Sequence, residues 1–201
     1  MEKQLLVSLG REFGSGGHEI AQRIAEEFGI AYYDHNILDH MYENDEELIR
    51  FMKKYDEKRA NPFLNRRVRG HSSSLEENLA MREFEFIEKK ANEGESFVIV
   101  GRCGETILRD FPCHVSFFVL GDMYDKIRRV EERYQVTEKE AINKIQRHDR
   151  HRKKFHNEYS DTKWGDSRGY DLCVNVSRLG LDGTTELLAS YIRQWMKILE
   201  K

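Results

Sequence analysis

The tetrad Gly14-Ser15-Gly16-Gly17 constrains this chain more than any other feature. It follows Leu5-Leu6-Val7-Ser8-Leu9, an apolar run that reads as a short buried strand. It precedes Ile20, Ile24 and Phe28, with Ala21 and Ala25 beside them, at the spacing of one helix face. Gly29 stands where that helix should stop. Ile30 to Tyr33 reads as a second short strand, closed by Asp34. Strand, glycine loop, helix and strand make a βαβ opening. Backbone N–H groups in such a loop, backed by the positive end of a helix, can converge on a polyphosphate. The other reading is a plain tight turn between strand and helix.

The remaining pattern keeps alternating. Arg59 to Ser74, with Asn61-Pro62, Gly70 and three serines, reads as a mobile connection. Ser74 and Glu77 have capping-box spacing, and Ala80, Phe84, Ile87 and Ala91 follow along one helix face. Gly94 closes that helix. Ser96 to Val100 is a β-branched run expected of a central parallel strand, with Gly101-Arg102 at its carboxyl end. His114 to Leu120 is another strand. Asp122 is placed to cap a helix carrying Met123, Ile127, Val130 and Tyr134. Thr137 and Glu140 open a basic helix through a second capping box. Asp171 to Val176 reads as a last strand, before a helix carrying Leu187, Leu188, Tyr191, Ile192, Trp195 and Leu199. Strands alternating with helices imply an α/β fold: a parallel sheet covered on both faces, with ligands beyond the carboxyl ends of its strands.

Composition narrows the class. The chain has 201 residues, enough for a single domain spanning 1–201 with one excursion and a small lid. At 39% hydrophobic and 34% charged it reads as a soluble globular protein, and no apolar run approaches a membrane span. No signal peptide is visible at the N-terminus. Cys103, Cys113 and Cys173 lack zinc-ligand spacing and read as free thiols of a reducing cytoplasm. Net charge is −3, yet Lys144 to His156 concentrates six Lys and Arg against Asp149. That local asymmetry suggests phosphate handling more than nucleic-acid binding, since interleaved aromatics are missing.

Against the phosphate-loop pattern G-x-x-x-x-G-K-[ST], the last glycine falls at Gly17, the lysine position holds His18, the hydroxyl position Glu19 and the first-glycine position Glu12. His18 can donate one hydrogen bond to a phosphate. Glu19 either meets a metal or sits in a first helical turn that favours acids. Arg11 is a substitute cation or a solvated surface arginine. Arg102, after Gly101, is a rigid fork for phosphate or the partner of a surface acid. Asp149-Arg150-His151-Arg152 either closes cations over a transferring phosphoryl group or forms a solvated charged helix. Trp164-Gly165-Asp166 stacks on a base or packs in the core.

Taken together, Arg11 to Gly17, Tyr33-Asp34, Gly101-Arg102-Cys103, Trp164-Gly165-Asp166 and Tyr170-Asp171-Leu172 resemble the cytidylate kinase-like family, in order over nearly the whole chain. The resemblance implies a P-loop NTPase fold of nucleoside-monophosphate-kinase type: three layers, a central parallel sheet, a helical substrate insert at about 35–93 and a helical lid at about 137–168. It implies ATP-dependent phosphoryl transfer to CMP or dCMP, with Mg²⁺. Gly14, Ser15, Gly16, Gly17, His18, Glu19 and Arg11 would bind ATP. Asp34, Arg102 and Asp149 would bind the acceptor. Arg150, Arg152 and Arg102 would serve catalysis. Cys103 stands where the relatives carry an aspartate. A nucleotide-binding regulator without turnover, and a kinase of another small acceptor, are the competing readings. Small nucleotides are the expected partners, with no specific nucleic acid and no membrane.

Overall fold

β1 (Leu6–Arg11) runs through the centre of a five-stranded, wholly parallel sheet. The computed structural model describes residues 4–34, 37 and 75–199. In order, the elements are β1, α1 (Gly17–Phe28), β2 (Ala31–Tyr33), α2 (Leu75–Asn92), β3 (Phe97–Val100), α3 (Gly104–Ile107), β4 (His114–Leu120), α4 (Met123–Tyr134), α5 (Glu138–Tyr159), a 3₁₀ turn at Ser167–Gly169, β5 (Leu172–Asn175) and α6 (Val176–Leu199). The strand order is β2-β3-β1-β4-β5. β1 and β2 share the sheet but do not touch, because β3 lies between them. Leu6 is level with Phe97 on one side and His114 on the other.

The three inner strands, β1, β3 and β4, bury both faces, as their near-continuous apolar runs require. Val7, Leu9, Val98, Val100, Val115 and Phe117 pack with Ile20 and Ile24 of α1 and with Leu188 and Ile192 of α6. Full burial of one such side chain contributes roughly 2 kcal/mol. Leu6, Phe97 and Ile99 point to the opposite face, against Leu79, Ile87 and Ala91 of α2 and Leu108. This gives three layers. A smaller cluster of Val130, Ala141 and Ile145, with Phe13 and Ile127 against it, joins α4 to α5 beside the glycine loop.

Several boundaries differ from the sequence expectation for physical reasons. The Thr137–Glu140 capping box forms. Asp122 sits at the N-cap of α4 but makes no cap bond; its Oδ1 accepts from Asn175 Nδ2 at 2.8 Å instead. Val176 opens α6 rather than ending β5, and α6 breaks at Gly180, whose φ is 68°. Met123 and Tyr134 are largely exposed although they lie on the expected apolar face. The connection at 59–74, the Ser74 cap and much of the 35–93 segment fall outside the described residues.

Candidate functional site

The glycine loop bends where β1 ends, and two glycine bends with two Ser15 hydrogen bonds set its shape. Gly14 and Gly16 take left-handed φ values of 81° and 83°, a conformation that glycine adopts without steric penalty. Ser15 is fully buried; its hydroxyl donates to the Glu12 carbonyl at 2.8 Å and accepts from the Gly17 N–H at 3.4 Å. Gly16 is also the N-cap of α1, without a side-chain cap bond. The first N–H groups of the helix therefore face a cleft of about 840 Å³.

That cleft gathers most of the residues singled out from the sequence. Arg11, Gly14, Gly16, Gly17, His18, Glu19, Asp34 and Arg152 all line it. At its floor lies Asp34, only 4% exposed. His18 Nδ1 is 2.7 Å from Asp34 Oδ2, and the Tyr32 hydroxyl is 3.0 Å from the same nitrogen. Arg11 Nη2 donates to Asp34 Oδ1 at 3.3 Å. Arg11 Nε is buried without an acceptor among the described residues. Burial pulls the Arg11 guanidinium below its ordinary range, against the opposing effect of Asp34. Glu19 meets Arg23 at 2.7 Å within the first turns of α1.

α5 closes one side. Its Asp149 Oδ1 accepts the Phe13 N–H at 2.7 Å, and burial raises the Asp149 carboxyl above its usual value. Arg152 donates to the Arg11 carbonyl at 3.3 Å and lies 5.5 Å over the Phe13 ring. Burial, then the neighbouring Arg11, lowers Arg152 to about 9. His148 stacks on Phe13, with centroids 4.2 Å apart and planes at 7°, and Tyr134 stacks on Phe13 at 5.9 Å. Burial and the cations Arg152, Arg147 and Lys144 lower His148 to about 4, so it is neutral near pH 7.

Four expected site residues do not line the cleft: Ser15 and Asp149 hold the loop itself, through Glu12 and Phe13, and Arg150 and Arg102 lie elsewhere. Arg150 stands on the exposed face of α5, outside the cleft lining. Successive helical residues point about 100° apart, so Asp149 and Arg152 face inward while Arg150 does not. Arg102 follows Gly101 at the end of β3; its Nη1 is 3.2 Å from Glu83, a carboxylate only 1% exposed. Gly101, Arg102 and Cys103 have φ of 75°, 54° and 53°, so two non-glycine residues hold left-handed backbone there. Arg11 lies against Gly101, where an added Cβ would clash with its Nη1. The Trp164 segment is an anchor for the chain: Trp164 and Tyr170 pack on Phe118 at 5.3 and 5.0 Å, and Asp171 Oδ2 accepts from the Ser116 N–H at 2.7 Å.

The sequence placed the helix α4 but not the cations it sends to the cleft. Arg129 and Arg133 line the cleft, and buried Lys126 pairs with Glu12 at 2.8 Å. Their spacing around Val130 is that of an ordinary charged surface helix, which offers no distinguishing signal. Among the described residues no group of three His, Cys, Asp or Glu side chains converges as a metal site, and no helix is long and apolar enough to cross a membrane.

Comparisons with known proteins bear on the family and the fold. The sequence model of the cytidylate kinase-like family matches residues 6–178. No functionally curated protein matches the chain. The crystal structure of an uncharacterized protein from Eubacterium ventriosum is 39% identical, with a TM-score of 0.75, over 94% of this chain and 99% of that one. Shikimate kinase from Bacteroides thetaiotaomicron is 13% identical with a TM-score of 0.54, covering 94% of this chain and 98% of its own. A gluconokinase from Sinorhizobium meliloti is 14% identical with a TM-score of 0.55, covering 98% and 95%. At such identities these two kinases share the fold, and the fold is that of P-loop kinases.

Proposed function

Because this chain belongs to the cytidylate kinase-like family, we propose that it transfers the terminal phosphoryl group of ATP to a nucleoside monophosphate, with CMP or dCMP the first acceptors to test. The observation that carries this reading is the cleft itself. A glycine loop caps α1, and Arg11, Arg129, Arg133 and Arg152 line the same space. Phosphoryl transfer asks a protein mainly for positioned donors and cations in a water-poor site. The orphaned, buried Arg11 Nε is the kind of donor that an incoming anion satisfies.

On this reading the chain is one domain, with about 35–93 as the acceptor-side insert and about 137–168 as the lid. The loop N–H groups hold the ATP phosphates. Arg152 faces the charge that develops on transfer, and Arg102 grips the acceptor phosphate once Glu83 yields it. α5 keeps water out. Magnesium, carried on the nucleotide's own oxygens as it usually is, would neutralise phosphate charge. Glu19 is the only acid at the loop's hydroxyl position, and it already meets Arg23. The three free cysteines fit work in a reducing cytoplasm.

A second reading, nucleotide binding without turnover, is favoured by one observation. Asp34 engages both His18, which stands at the lysine position, and Arg11. ADP release from ATP and Mg²⁺, measured across CMP, dCMP, UMP, AMP and GMP, separates the two. Release with CMP or dCMP that Arg102→Ala abolishes supports the kinase. Silence with every acceptor, alongside saturable ATP binding, supports the regulator. Release with none of these but with another small phosphate acceptor moves the assignment to that substrate.

A further inference from the structure

We propose that Arg129, reaching in from α4, supplies the phosphate-facing cation that the glycine loop lacks. The inference rests on reading the cleft as a polyphosphate site. In loops of this kind a lysine two residues into the helix meets the phosphates; here that position holds His18.

Most basic side chains around the cleft already have partners. His18 Nδ1 lies 2.7 Å from Asp34, and Arg11 lies 3.3 Å from the same carboxylate. Lys126 is buried against Glu12 at 2.8 Å. Arg152 donates to the Arg11 carbonyl and lies 3.9 Å from Asp149. Arg133 is exposed, 5.9 Å over the Tyr134 ring at the rim. Arg129 differs from all of these. It is half-buried, it lines the cleft, and it has no hydrogen bond or ion pair among the described residues. Its guanidinium lies on the loop: a Cβ added to Gly16 would stand 2.5 Å from Nη1. Gly16 is the N-cap of α1, so a guanidinium fork and a helix N-terminus face the same space, and the acids that line it, Glu12, Glu19, Asp34 and Glu132, form no ion pair with Arg129.

The loop's two departures from the usual pattern are thereby linked. Glu12 occupies the first-glycine position, and its carboxylate accepts from Lys126 and from the Gly121 N–H at 3.2 Å. The Lys126 carbonyl and Val130 lie against Gly14, each 3.0 Å from where a Cβ would be. Lys126 and Val130 thus seat α4 on the loop at Gly14, and Arg129 projects beside them toward Gly16. The acid that replaces a glycine holds the helix whose arginine replaces the lysine. A planar fork takes two phosphate oxygens at once, which an ammonium cannot do in the same geometry.

The test is calorimetric titration of AMP, ADP and ATP into the wild-type protein and into Arg129→Ala, Arg129→Lys and His18→Ala, with a thermal melt of each variant as the folding control. The wild type should bind more tightly with each added phosphate. Arg129→Ala should weaken ATP about tenfold or more while changing AMP less than about twofold, the loss expected of one charge-assisted pair. Arg129→Lys should recover part of that loss. Because a general packing defect would weaken all three ligands alike, the change in the ATP-to-AMP ratio isolates phosphate contact. An unchanged ratio in Arg129→Ala, or a ratio that collapses only in His18→Ala, overturns the assignment. Wild-type binding that does not depend on phosphate number overturns the nucleotide reading itself.

Discussion

The ends of β1 and β3 lie side by side, yet they turn by different means. At β1 the left-handed bends fall on Gly14 and Gly16, which adopt them freely. At β3 they fall on Gly101, Arg102 and Cys103, and the last two carry side chains. Each non-glycine residue in that conformation costs about 1–2 kcal/mol. The charges differ in the same way. Beside the glycine loop, Arg129 faces the cleft with no ion pair among the described residues; at the β3 end, Arg102 is held by buried Glu83 and lies 5.8 Å over the Phe155 ring. One end is relaxed and open, the other strained and internally paired. Strain that persists at a side-chain-bearing position implies that the side chain matters there.

The largest effect should come from breaking the open end. Lys126→Ala leaves Glu12 the Gly121 N–H but no cation, unseats α4, and should cost about 3 kcal/mol in urea denaturation. Arg102→Ala leaves Glu83 buried without its guanidinium, and should cost about 2 kcal/mol. Arg102→Gly should be roughly 1 kcal/mol less damaging than Arg102→Ala, because it also relieves the backbone. If the two variants are equal, the strain argument fails. Acid should loosen the loop next. The folded state holds His148 at about 4, below its unfolded value of 6.5. The depressed value means that the folded state resists protonation, so stability is full above pH 6.5 and falls as pH drops toward 4. After allowance for partial exposure the loss is roughly 1 kcal/mol, and His148→Gln should remove that part of the acid sensitivity. Gln135, exposed at the C-cap of α4 with φ 52°, offers the smallest test. Gln135→Gly should stabilise by up to about 1 kcal/mol, read as a raised melting temperature.

The sequence was most informative where one residue type has one physical job. Glycine at 29 and 94 ends helices with φ of 61° and 83°, as the pattern implied. The strand at His114–Leu120 appears with its expected limits. The glycine loop was legible because strand, turn and helix signals coincide there. What stayed hidden depended on distant partners. Asp122 looked like a cap, but Asn175, 53 residues on, takes its carboxylate. Arg150 and Arg152 looked equivalent, and only the docking of α5 tells them apart. Arg129 carries no signal of its own, because nothing local says which face of α4 meets Gly16.

The strand order also bears on when the cradle can exist. β1 is made first, but its neighbours are β3 and β4, so Leu6 waits for Phe97 and then His114. During vectorial synthesis the glycine loop emerges early, attached to a strand with nothing beside it. Pairings across some ninety residues are slow to close, and they hold a parallel sheet back until late in folding. The loop's geometry is therefore set near the end of assembly, by strands that do not themselves carry it. Ligand binding in this chain should report on the completed sheet, and a truncation before β4 should have none.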